Sequence, residues 1–217
     1  MTQEGPATTD GLPASRWRSP DDVPAVLDLP AAGLLLGADA RQAAIALPAL
    51  GPRPIRLGVL GDHRIATLLA YRLLGVGCRL WVASEQPERW RGLLTAAEGR
   101  ARIGPDHIGW PPPSRTPQLL VTDLPQAPPP GLGDRPMCTI VHVTPTVPAG
   151  SPYWSAVHAV VLAGQGHGTP LAELLGRPDA AGLDQLDPGQ LGLLDAGRAT
   201  VVTPILAEAE LALLVGS

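Results

Sequence analysis

Ile55-Arg-Leu-Gly-Val-Leu60, then Gly61-Asp62, then His63 to Gly75, then Cys78-Arg-Leu-Trp-Val-Ala83 is the stretch that decides the fold. The first six residues, apolar but for Arg56, read as a strand. Gly61-Asp62 makes a tight turn. Ile65, Leu68, Leu69, Arg72 and Leu73 fall at helical spacing and stop at Gly75-Val-Gly77, where glycine can end a helix. Cys78 to Ala83 is a second apolar run. The pattern is β-α-β, the unit of a parallel sheet.

Working outward, Ala32 to Gly37 and Gln42 to Leu50 flank Ala38-Asp39-Ala40-Arg41 and predict a hairpin, although neither Asn-Gly nor Asp-Gly marks its turn. Downstream, Ser84 stands where an N-cap belongs and Pro87 falls in a first turn. Trp90, Leu93, Leu94 and Ala97 then predict a second helix ending at Gly99. A short strand is expected at Ala101 to Ile103, and Pro111-Pro112-Pro113 opens a surface loop. Gln118 to Thr122, Cys138 to Val143 and Ala156 to Ala163 are continuous apolar runs, suited to strands covered on both faces. Leu124 to Pro136, with five prolines, is a loop. Thr169-Pro170 and Asp187-Pro188 predict helix starts, giving helices at Leu171 to Leu175 and Gly189 to Leu194. Ala199 to Thr203 and Glu210 to Val215 are expected to form a closing hairpin.

The 217 residues fit a loose tail at 1–28 and one α/β domain at 29–217. Within it, 29–50 would be the hairpin, 55–163 the parallel-sheet core and 169–217 an extension. The expected fold is therefore a Rossmann-like three-layer α/β domain with a mostly parallel sheet, an N-terminal hairpin and a C-terminal helix-plus-hairpin extension.

Composition closes several chemistries. All 16 basic residues are arginine, so Schiff bases, a P-loop lysine and a Ser-Lys dyad are excluded. The net charge of −4, with no arginine cluster, argues against nucleic acid as a partner. Cys78 and Cys138 lack zinc or redox spacing and read as small buried hydrophobes in a reducing compartment. The N-terminus has no signal-peptide pattern, and no apolar run approaches the roughly 18 to 20 residues of a spanning helix. The expectation is a cytoplasmic protein, or one held at the inner face of the membrane through partners.

Gly58-Val-Leu-Gly61-Asp62-His63-Arg64 is where an α/β sheet would receive an anion, because helix N-terminal amides point there. Gly58, Gly61, Asp62 and Arg64 are thus candidate cofactor-binding residues. Glu85, just past the second strand, stands in sequence where an acidic ribose ligand would. The turn lacks the third glycine of a dinucleotide fingerprint, and it has neither the spacing nor the Lys and hydroxyl of a P-loop. The other reading is a purely structural turn. Asp123, ending an apolar run, reads either as a Mg²⁺-holding carboxylate or as a turn residue. Gly164-Gln-Gly-His-Gly168 reads as a small-ligand loop or as a crossover. His63, His107, His142, His158 and His167 form no zinc spacing, and Ser151 and Ser155 lack a nucleophile elbow. No metal site and no catalytic residue are assigned. These residues predict no enzyme and no cofactor, with a nucleotide as the alternative.

Gly33-Leu-Leu-Leu-Gly37, Ile55 to Asp62, Leu69-Ala-Tyr-Arg-Leu-Leu74, Cys78 to Ala83 and Pro87-Glu-Arg-Trp90 together resemble actinobacterial proteins encoded with type VII (ESX) secretion systems and labelled EccE-like. The hairpin leading into strand, turn and helix is also similar to the start of FtsK-like secretion ATPase domains, with the phosphate-binding residues gone. The resemblance implies a soluble, non-enzymatic accessory working through protein partners of a secretion apparatus. The alternatives are a Rossmann-like nucleotide- or anion-binding protein, or a degenerate P-loop-like ATPase domain.

Overall fold

In a computed structural model, which describes residues 32–112 and 114–215, the elements come in the order β1 (Ala32–Ala38), β2 (Ala44–Leu50), β3 (Ile55–Leu60), α1 (His63–Gly75), β4 (Arg79–Ala83), α2 (Arg91–Ala96), β5 (Ala101–Gly104), β6 (Gln118–Thr122), β7 (Cys138–Thr144), α3 (Pro152–Ser155), β8 (Ala159–Ala163), α4 (Gly168–Leu175), β9 (Leu191–Asp195), β10 (Ala199–Pro204) and α5 (Glu208–Val215). Single 3₁₀ segments at Pro87–Trp90 and Pro178–Asp184 complete the set. The expected tail, residues 1–28, lies outside the described residues.

β3, α1 and β4 form as their pattern dictates. Asp62 caps α1: its Oδ1 accepts the Arg64 N–H at 2.9 Å, satisfying one of the amides a helix start leaves free. The helix ends in a paired turn, with Gly77 N–H donating to Leu74 O at 3.0 Å and Cys78 N–H to Leu73 O at 3.1 Å. This arrangement needs the left-handed conformation that Gly77 adopts at φ +90°.

The strands join one ten-stranded sheet in the order β2-β1-β10-β9-β8-β3-β7-β6-β4-β5. From β8 to β5 the neighbours are parallel, and from β8 through β9, β10 and β1 to β2 they are antiparallel. Leu57 and Val59 of β3 join Leu69 and Leu73 of α1 in one apolar layer. Leu60 joins Trp154, Leu162 and Leu171 in the layer on the opposite face. The sheet is thus covered twice, which is why its central strands read as unbroken apolar runs. Burial also acts on the thiols: Cys78 and Cys138 are both buried, and the Cys78 thiol is pushed up to about 11.

The N-terminal hairpin is present as β1 and β2. Its turn is closed by Asp39, whose Oδ1 accepts the N–H groups of Arg41 and Ala43. The C-terminal region departs from the sequence reading in two places. Leu191 to Leu194, expected in a helix, are the buried strand β9, because Asp187 to Gln190 closes a turn and β8 and β10 supply partners on both sides. Pairing with neighbours overrides the Asp-Pro signal. Glu210 to Val215, expected as a strand, belong to helix α5. Glu210 reaches back to accept the Ala207 N–H at 2.9 Å, half of a capping box, and ion-pairs with Arg72 of α1. The hairpin partner of β10 is therefore β9. Likewise the run from Ala156 to Ala163 divides into a link that follows α3 and the shorter β8.

Candidate functional site

The carboxyl ends of the parallel strands bring together the turn after β3, Asp123 after β6, Thr144 at the end of β7 and His167 after β8. This is the edge where open α/β sheets take ligands. Gly61 adopts φ +95°, and a Cβ there would lie 2.1 Å from Ala163 O and 3.2 Å from His167 Nε2. Its own N–H donates to Thr144 O at 3.1 Å. The turn is therefore packed against both neighbouring strand ends, and only glycine fits it.

Asp62 and Arg64 meet each other. Arg64 Nε donates to Asp62 Oδ2 at 2.7 Å, while Asp62 Oδ1 holds the Arg64 amide. Burial alone would raise the Asp62 carboxyl, but the Arg64 side chain, amide and charge outweigh it and hold the pKa below the ordinary value. A carboxylate thus already sits at the N-terminus of α1, where a phosphate would otherwise bind.

Gly58 has a different task from the one its motif suggests. A Cβ at that position would lie 2.5 Å from the indole of Trp154, so the glycine makes room for a ring laid on β3. Trp154 Nε1 donates to His142 Nδ1 at 2.7 Å. An indole N–H can only donate, so the proton of a neutral His142 sits on Nε2, which donates to Leu124 O at 3.0 Å. His142 is a fully satisfied core imidazole, its pKa lowered mainly by burial.

Glu85 is exposed beyond β4, and β7 and β6 intervene between β3 and β4. Three strand spacings of about 4.8 Å place it about 14 Å across the sheet from Gly61. The ribose role required the two strands to be neighbours, and they are not. Asp123, by contrast, is near the turn, but its Oδ2 accepts Trp90 Nε1 at 3.1 Å. His63 stands beside it. Burial, the largest influence, lowers the His63 pKa against the opposing charge of Asp62. Its Nε2 is buried with no hydrogen-bond partner, the one such side-chain atom among the described residues.

The turn differs from a phosphate-binding loop in three ways. The anion position carries Asp62, Gly61 lies close against Ala163 O, and no hydroxyl follows the turn directly. Sequence reasoning missed that Ala163 and His167 pack against Gly61, because both arrive from the end of β8 or just after it, about 100 residues along the chain. The Thr144 carbonyl was equally hidden.

No protein-family model matches the sequence. No curated protein matches it either. Among solved structures, the chain resembles the cytoplasmic domain of the type VII secretion ATPase EccC from Thermomonospora curvata, with a TM-score of 0.51 and 14% identity. That match covers 84% of this chain and 30% of the other. ATPases 2 and 3 of EssC from Geobacillus thermodenitrificans match with a TM-score of 0.52 and 10% identity, over 89% of this chain and 49% of theirs. This chain therefore spans less than half the length of either structure. At these identities the likeness is one of fold. It corrects the expectation of a chain that is no enzyme, because the fold is one built by ATPase domains. It also supports the ATPase side of the expected resemblance and leaves the EccE side without support.

Proposed function

We propose that the chain is a P-loop-like domain of the secretion-ATPase fold, degenerate at its phosphate turn, which docks on an ATPase domain of the same fold in a type VII-like secretion apparatus. The observation that carries the reading is the likeness of fold to the EccC and EssC ATPase domains, combined with a turn filled by its own carboxylate. Gly61, Asp62 and Arg64 form that turn, and Gly58 seats Trp154 beneath it. No helix among the described residues is long and apolar enough to cross a membrane, so a place in such an apparatus would depend on protein contacts. The test is to mix the full chain with the cytoplasmic domain of a type VII secretion ATPase and measure co-elution and ATP hydrolysis. Co-elution with a changed rate is expected; no co-elution together with an unchanged rate would overturn the proposal.

A second reading is a nucleotide or simpler anion held at this edge. One observation favours it: the unpartnered, buried Nε2 of His63 beside Asp123. Thermal shift with ATP, GTP, NAD(H) and sulfate separates the two. A ligand at 100 times its dissociation constant stabilises by about 2.7 kcal/mol, or a few degrees for a chain of this size. A flat panel retires this reading, and a shift abolished by His63→Gln establishes it.

A further inference from the structure

A cleft of about 1110 Å³ lies at the amino ends of β3 and β8. It is the length of β3, roughly 20 Å, from Gly61. Its walls come from the β2–β3 loop, the α3–β8 junction, the end of α4 and the β9–β10 turn. Pro48, Pro54, Val157 and Leu175 make much of it apolar. Two polar groups in the lining are unspent. Arg53, between Pro52 and Pro54, is exposed and has no acceptor or carboxylate partner among the described residues. His158 Nδ1 accepts the Arg56 N–H at 3.0 Å, which leaves the proton of the neutral ring on Nε2 as a free donor. Burial is the main influence lowering the pKa of that ring, so neutral is its ordinary state.

The other charged groups in the lining are committed. Arg177 forks onto Asp179 at 2.9 and 2.7 Å and donates to Asp195 O at 2.8 Å. Asp195 Oδ1 accepts the N–H groups of Gly197 and Arg198, fixing a negative charge in the wall. One free cation, in a lining whose other charged groups are already held, matches a guest with a single negative charge. A planar guanidinium matches a carboxylate in particular.

We propose that this cleft is a binding site for a carboxylate carried on an apolar body, with Arg53 and the Nε2–H of His158 as its donors. It does not depend on the reading of the opposite edge. The carboxylate could come from a small organic acid or from a peptide chain end, and the two sources share this chemistry.

The test uses the full chain with its imidazole resonances followed by NMR. It is titrated with hexanoate, with acetyl-Ala-Leu-Val as the free acid, and with the same peptide as its C-terminal amide. Saturable shifts of the His158 ring are expected with at least one of the acids. The matching Arg53→Gln titration should be weaker by about tenfold or more, with the melting curve unchanged. A tighter peptide acid identifies a protein chain end as the source, and a tighter hexanoate a small organic acid. In the peptide pair, the amide should bind more weakly by a similar factor if the peptide is a guest. No saturable shift with either acid, equal affinity of a peptide acid that binds and its amide, or an unaffected Arg53→Gln chain would each overturn the proposal.

Discussion

The two ends of the parallel strands contrast in how their polar groups are satisfied. At the carboxyl edge, where this architecture ordinarily receives ligands, Asp62 supplies the anion, Arg64 the counter-charge, and the unpartnered group is the buried Nε2 of His63. At the amino edge, Arg53 and His158 hold donors with no acceptor among the described residues and line an open cleft. Position in a fold therefore does not by itself locate a binding site. What locates one is the chemistry left over once the chain has satisfied itself.

The most damaging way to break the contrast is to remove the ring on which the carboxyl edge rests. Trp154→Ala empties a fully buried site and strands His142 Nδ1, and should cost about 3–5 kcal/mol in denaturant unfolding. Gly58→Ala drives a methyl into the same ring and should cost about 1–3 kcal/mol. Asp62→Ala removes the α1 cap, at about 0.5–2 kcal/mol, and frees the anion position, so sulfate should stabilise this variant more than the parent. Arg53→Gln, at the other edge, should change stability by no more than about 0.5 kcal/mol. An equal cost for Asp62→Ala and Arg53→Gln would erase the difference between the edges.

Acid sharpens the same comparison. The Asp62 carboxyl is depressed below its ordinary 3.8 and that of Glu210 below its ordinary 4.5, so both contribute stability that is present above those values. That stability is lost as pH falls through the depressed folded values. The parent should therefore lose stability below about pH 4.5 more steeply than Glu210→Gln, as read from denaturant midpoints at successive pH values.

Local signals carried much of the fold. Ile55 to Ala83 announced strand, turn, helix and strand because period and stop residues agreed. Leu191 to Leu194 misled because an Asp-Pro start was followed by an apolar run whose partners, β8 and β10, are not visible locally. Glu210 looked like one residue of a β-prone run; its pairing with Arg72, across more than half the chain, showed it to be a helix anchor. The site was half legible. Gly61 and Asp62 were found as a turn, but whether that turn was open depended on Ala163 and His167. Gly58 was chosen for a ligand and serves an indole instead, since a glycine records only that something comes close. Arg53 gave no sign at all, because a Pro-Arg-Pro loop carries no periodicity to read.

The depth of the two thiols supplies a clock. With its pKa near 11, Cys78 exposes about a thousandth of its sulfur as thiolate at pH 8, and no solvent reaches even that fraction while β4 stays docked. Alkylation must then wait for the sheet to open. With lysine absent, amine-directed reagents have no side chain to modify, so cysteine labelling would time local unfolding of β4 and β7 free of that background.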